Sequence, residues 1–221
     1  MNLIELSNAL LAECEGSTHI AAITTIPLAS NAPRAQARAV SWIQTAYRRV
    51  QLRKRDWKFH WKSGTLLTTV PDRYDYTLKG VREIVTDGVL CRRQGETAVW
   101  PLAVLPYQTW MSLFRVVWPT LTAGTPQWLC QLPNGKWRVT PKPLDDTVFE
   151  VLADWYEHPS VMEVGGDEPI WDEEWHELLV WEAAKHYLEE YDKPSLAGRI
   201  QENLGPLERS FYNRYSPDWG M

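Results

Sequence analysis

Apolar residues recur at helical spacing at both ends of the chain, and at strand spacing or in short bounded runs between them. Near the start, Leu3, Leu6, Leu10 and Cys14 fall on one face, with Glu5 and Glu13 outside it, which predicts a helix over residues 2–14. A loop-rich connection follows from Gly16 to Pro33, with a short strand expected at 20–26 (IAAITTI). Ser30 and Asn31 ahead of Pro33 read as a helix start. The helix they would open runs to about residue 54. Ala35, Ala39, Trp42, Ile43, Ala46 and Val50 form its apolar stripe, and Arg34, Arg38, Arg48 and Arg49 lie largely off it.

From 57 to 157 the period shortens. TLLTTV, RYDYTL and REIVTDGVLCRRQ are bounded by Gly, Pro and Asp, as strands are. PYQTWMSLFRVV predicts a brief helix. In QWLCQLPNGKWRVTP, Asn134-Gly135 separates two alternating runs and predicts a tight hairpin. In VFEVLADWYEHP, Phe149, Val151, Ala153 and Trp155 alternate along one long strand.

The last third returns to helical spacing. Asp172 is placed to cap a helix through about Tyr191. Its apolar residues, from Trp175 and Leu178 to Leu188 and Tyr191, cover more than one face, so it should lie between neighbours. Asp192-Lys193-Pro194 breaks it, and Ser195 is placed to cap a final helix. Leu196, Ile200, Leu204, Leu207 and Phe211 are that helix's stripe, with a kink expected at Gly205-Pro206. The order helices, strands, helices predicts an α+β fold: a helical bundle formed by the N- and C-terminal helices, with an inserted antiparallel β module. The expected boundaries are 1–56 and 170–215 for the discontinuous bundle, 57–169 for the β-rich insertion, and 216–221 for a C-terminal tail.

Composition sharpens this. Among 221 residues are 13 Trp, the side chain that supplies most contact area per frozen torsion and concentrates where proteins meet. The excess points to an assembly component, although any one Trp can simply fill a core. The net charge of −5 argues against a general polyanion binder. Cys14, Cys91 and Cys130 are odd in number and far apart, without a CxxC pair, so neither a zinc ribbon nor a disulfide framework is expected. MNLIELSNALLAE lacks the basic leader of a signal peptide, and no apolar run is long enough to cross a membrane.

Catalytic chemistry finds no support. His176-Glu177 lacks the second His four residues on that a metalloprotease helix requires, and His186 would stand about 15 Å away along a helix axis, too far to share a metal. There is no GxSxG elbow and no GxxxxGK[ST] loop. Asp167, Glu168, Asp172, Glu173 and Glu174 fit no EF-hand spacing and suit the first turn of a helix, whose dipole favours acids. No enzyme, metal site or cofactor is expected. One stretch invites another reading. RRVQLRKRDWKFHWKSG, residues 48–64, carries seven cations (Arg48, Arg49, Arg53, Lys54, Arg55, Lys58 and Lys62) around the single acid Asp56. These could grip phosphates while Trp57 or Trp61 stacks on bases. Alternatively the cations complement a helix C-terminus, and the chain continues as a strand with Trp57, Phe59 and Trp61 on an apolar face and Lys58, His60 and Lys62 in water. The regular alternation favours the second.

The arrangement of marks resembles a known family. RDWKFHWKSGTLLTTVPDRYDYTL, then TPKPLDDTVFEVLADWYEHPSVM, then DEPIWDEEWHELLVWEAAKHYLEEYDK are similar to segments of the head-to-tail adaptor (connector) proteins of tailed bacteriophages. The matching positions are Trp57, Phe59, Tyr76, Leu78, Pro141, Pro143, Tyr156, Trp175, His176, Ala183 and Ala184, and the likeness covers about residues 35–195. The resemblance implies a structural protein of the virion, at the head–tail junction, made in the bacterial host cytoplasm. It implies a homo-oligomeric ring, commonly dodecameric, that docks under the portal protein, extends the channel through which genomic DNA passes without specific binding, and offers a platform to neck or tail proteins; no membrane is involved. By the same analogy Tyr212, Tyr215, Pro217 and Trp219 would be portal-binding. Arg48, Arg49, Arg53, Lys54, Arg55, Lys58 and Trp61 are candidates for subunit–subunit or nucleic-acid contact. The competing readings are a nucleic-acid-binding module built on 48–62, and a tail-completion or neck protein that does not touch the portal.

Overall fold

The computed structural model describes residues 1–15, 22–26, 34–117, 120–144 and 146–217. The chain divides into two compact units, Met1–Phe59 with Pro159–Met221, and His60–His158. It is an α+β fold in which N- and C-terminal helices flank a β module.

The first unit is built from α1 (Leu3–Glu15), α2 (Arg34–Leu52), α4 (Glu177–Tyr191) and α5 (Pro194–Tyr215). The apolar stripes meet as the periodicity requires: Leu3, Leu6 and Leu10 of α1, Ile43 and Val50 of α2, Leu178, Leu179 and Trp181 of α4, and Ile200, Leu204 and Phe211 of α5 share one buried core. α4 packs against α1, α2 and α5, which explains its wide apolar arc. Residues 22–26 are not a strand. Ile23 is buried, and the Asn8 amide takes the place of a neighbouring strand, accepting from Ile23 N at 2.7 Å and donating to Ile23 O at 3.0 Å. Residues 20 and 21 and the expected start at Ser30 and Asn31 lie outside the described residues.

Both caps expected at the starts of the last two helices are corrected. Asp172 precedes a 3-10 turn, Glu173–Trp175, without capping it; its backbone N–H and its carboxylate are both bonded to the Tyr215 hydroxyl instead, at 3.0 and 2.8 Å. Ser195 lies inside α5, because Pro194 takes the first turn, where a missing N–H costs nothing. α5 runs on through Gly205-Pro206 without a break. Residues 159–169 belong to this helical unit, although their sequence pattern groups them with the β insertion.

The second unit holds two four-stranded sheets among its described residues. The first has the order β1 (Trp61–Thr68), β8 (Phe149–Glu157), β3 (Val81–Arg93), β4 (Val99–Pro101). The second has the order β2 (Asp75–Tyr76), β7 (Trp137–Thr140), β6 (Trp128–Gln131), β5 (Ala103–Leu105), and its β5–β6 pair alone is parallel. The expected brief helix is α3 (Tyr107–Phe114). Leu67, Val89, Cys91, Leu129, Val139, Phe149 and Val151 share one core. The Asn134-Gly135 hairpin is present, with Leu132 N donating to Lys136 O at 2.7 Å around a three-residue loop in which Gly135 sits at φ +78°. RYDYTL keeps only two strand residues. There Arg138 grips Asp75 through two bonds of 2.6 and 2.8 Å, and the Tyr76 hydroxyl donates to backbone carbonyls of Val70 and Arg73.

Candidate protein-interaction site

The basic stretch does not form one strand face. Trp57 is buried in the helical core, and Phe59 packs beside it, their rings stacked at 5.5 Å. A 3-10 turn, Lys58–His60, then feeds β1, whose Trp61 is 49% exposed. A 3-10 turn has a period near three, so an alternating string of aromatics is not held on one side. His60, expected in water, is also buried. Burial, and then the positive charges of Arg82 and Lys62, push its pKa down to about 4. A group whose pKa falls on folding stabilises the protein fully above its unfolded value, near 6.5, and that stability drains as the pH falls toward the folded value. Urea unfolding across this window should lose up to ~3 kcal/mol. His60→Gln, which cannot take the charge, should remove most of the drop; equal slopes for the two proteins would refute the assignment.

The cations of the stretch have divergent fates. Arg53 bonds Glu182 and Glu208, each at 2.7 Å, and Lys185 bonds Glu182 at 2.9 Å. The Glu182 side chain is only 6% exposed. Burial alone would raise its pKa; Lys185 and Arg53 outweigh that and hold it below the usual carboxylate value. This network ties the end of α2 to α4 and α5 around the buried Glu182, while Arg53, Glu208 and Lys185 stay partly exposed. Lys54 bonds the Ser216 hydroxyl at 2.6 Å and stands over the rings of Trp57 and Tyr212. Arg49 donates to His186 Nε2 at 2.9 Å. Arg48, Arg55 and Lys58 are exposed.

Arg48 and Arg49 line a cleft of about 530 Å³ between α2 and residues 160–163. Leu52 and Val161 on its walls are 57% and 62% exposed. The walls are fixed by Gln51, whose buried amide reads the backbone of Ser160 as a strand would: Ser160 N donates to Oε1 at 2.9 Å, and Nε2 donates to Ser160 O at 3.0 Å. The Tyr47 hydroxyl adds a bond to Ser160 Oγ at 2.5 Å and accepts from Ile170 N at 3.3 Å. Sequence reasoning passed over Gln51, because a lone Gln on an amphipathic helix carries no signal; its partner lies 109 residues away.

Of the four aromatic or proline residues near the C-terminus, Tyr215 is buried and bonded to Asp172, and Tyr212 packs against Trp57 at 5.1 Å between ring centres. Pro217 follows α5, and Trp219 lies outside the described residues. Tyr212 and Tyr215 therefore belong to the helical core that the last segment leaves from. Among the described residues no three His, Cys, Asp or Glu side chains gather where a metal ion would sit, and no helix is long and apolar enough to cross a membrane.

A sequence model of the SU10 adaptor protein family matches residues 1–214. No curated protein matches the chain.

Proposed function

The chain belongs to the SU10 adaptor protein family, a family of bacteriophage head-to-tail adaptors, and on that premise we propose that it assembles as a closed ring beneath the portal protein, extends the DNA channel and carries the neck or tail. The observation that carries this reading is the family match along nearly the whole chain. Two features of the molecule support it. A ring requires two unlike patches on every copy, and the chain has exposed apolar side chains on both units, Leu52 and Val161 on one and Leu113 and Val116 on the other. A net charge of −5 lets DNA slide, because releasing counterions from phosphates needs cations that the lining would lack. On this reading the segment beyond α5, from Ser216 and Pro217 to Trp219, would be the part that reaches the portal, with Tyr212 and Tyr215 at its base.

The nucleic-acid reading is the weaker one. Of the seven cations in 48–62, Arg53 and Lys54 are spent inside the helical unit and Arg49 is bonded to His186. The exposed remainder lies away from the lumen or meets acids of a neighbouring copy. Deleting the gene from a phage that encodes this chain tests the proposal: filled heads without tails should accumulate. Infectious tailed particles lacking the chain would overturn it.

A further inference from the structure

We infer that copies of the chain join through the first sheet of the β unit, the β1 edge of one copy adding to the β3 edge of the next. This rests on the ring reading above and names the contact that closes it. A sheet edge is a row of unpaired N–H and C=O groups, and proteins usually shorten or cover such edges. The second sheet does so, ending in β2 with two residues and β5 with three. The first sheet does so only at β4, with three residues. β1 is eight residues long and has a ladder partner on one side only, β8. On the other side of β8, β3 is covered by β4 only from Leu90 to Arg92, so Val81–Val85 also pairs on the β8 side alone.

The burial pattern singles out the same region. A strand with one face on a core alternates between buried and exposed positions. Residues 61–65 of β1 are instead exposed at five successive positions, among them the indole of Trp61. This end of the sheet is a ribbon with solvent on both faces at its edge, which is how a strand looks when its cover comes from another molecule.

A second copy is the occupant that fits. The two open edges belong to different strands, as the head-to-tail contact of a ring demands. Their charges can be matched: Lys62 on β1, with Glu157 4.0 Å away, can meet the exposed Glu83 in the open stretch of β3 or Asp87 just beyond it, while Arg82 in the same stretch is less exposed. Like charges facing across such a pair would oppose it, and opposite charges set its register. β1 and β3 are both antiparallel to β8 and so run in the same direction. A neighbour rotated by a modest angle about a ring axis then presents its β1 parallel to β3.

Ser63→Cys on β1 combined with Thr86→Cys beside the open stretch of β3 tests this directly, in phage particles assembled with the variant chain and treated with a short bis-maleimide. The native thiols are all buried, so background is low. The inference expects most of the chain to move from monomer into a ladder of covalent multimers, and each single variant to stay monomeric. Particles that contain the chain but yield no multimers would overturn the edge contact and leave the adaptor reading standing. Dimers from Ser63→Cys alone would also overturn it, because they mean that like edges meet. Tailed particles that lack the chain altogether would overturn the adaptor reading itself.

Discussion

Arg53→Ala should destabilise the helical unit by about 3 kcal/mol, measured by urea unfolding at neutral pH. The cost comes less from the lost attraction than from what stays behind. Glu182 is buried, and among the described residues its carboxylate keeps Lys185 alone when the guanidinium at 2.7 Å is removed. An isolated surface pair would give no more than ~1 kcal/mol. Pairing Arg53→Met with Glu182→Leu removes the stranded charge as well and should recover most of the loss, since a packed apolar pair replaces a buried ion pair at little or no cost. A change under ~1 kcal/mol for Arg53→Ala would show that the pair is screened as on an open surface. The result also bears on how DNA binding is probed: alanine at Arg53 would weaken the fold and any contact together, so the exposed Arg48 is the more informative position.

Trp57→Ala should cost ~3–5 kcal/mol, near the upper limit for one core side chain. The indole is fully buried among Phe59, Phe211 and Tyr212, with ring centres 5.1–5.5 Å away. Its Nε1 donates to Val50 O at 3.1 Å, so truncation opens a cavity and also strips a buried carbonyl of a partner. Trp61→Ala, four residues on, should change the stability of the free chain by no more than ~0.5 kcal/mol, because that ring is half exposed. Similar losses at the two positions would contradict the packing described above.

That contrast marks the limit of what periodicity discloses. The four bundle helices, α3, the Asn134-Gly135 hairpin and β8 were legible because each repeats a local rule over enough residues to beat chance. The order helix, strand, helix then implied that the chain ends pack together, as they do. Trp57, Phe59 and Trp61 were misread because three aromatics at alternate positions satisfy a strand rule that a single 3-10 turn breaks. Asp172 was misread because an acid ahead of a helix is an ordinary cap, and its actual partner, Tyr215, lies 43 residues away. The basic run illustrates the same gap. Counting cations cannot distinguish Arg53, whose acids stand 129 and 155 residues further on, from Arg48, which faces solvent. Of the interaction site, the Trp excess and the family marks were visible beforehand. The open edges of β1 and β3 were not, since an edge is a property of strand order and no single strand carries it.

The proposed ring would place this chain at the head–tail junction. Averaged electron images of the neck of a phage that encodes it test that most directly, with the chain fitted into the density. A ring coaxial with the portal, each copy holding its β unit against the next through β1 and β3, is the expected result. A neck density with no place for this chain, or single copies scattered off the axis, would contradict it.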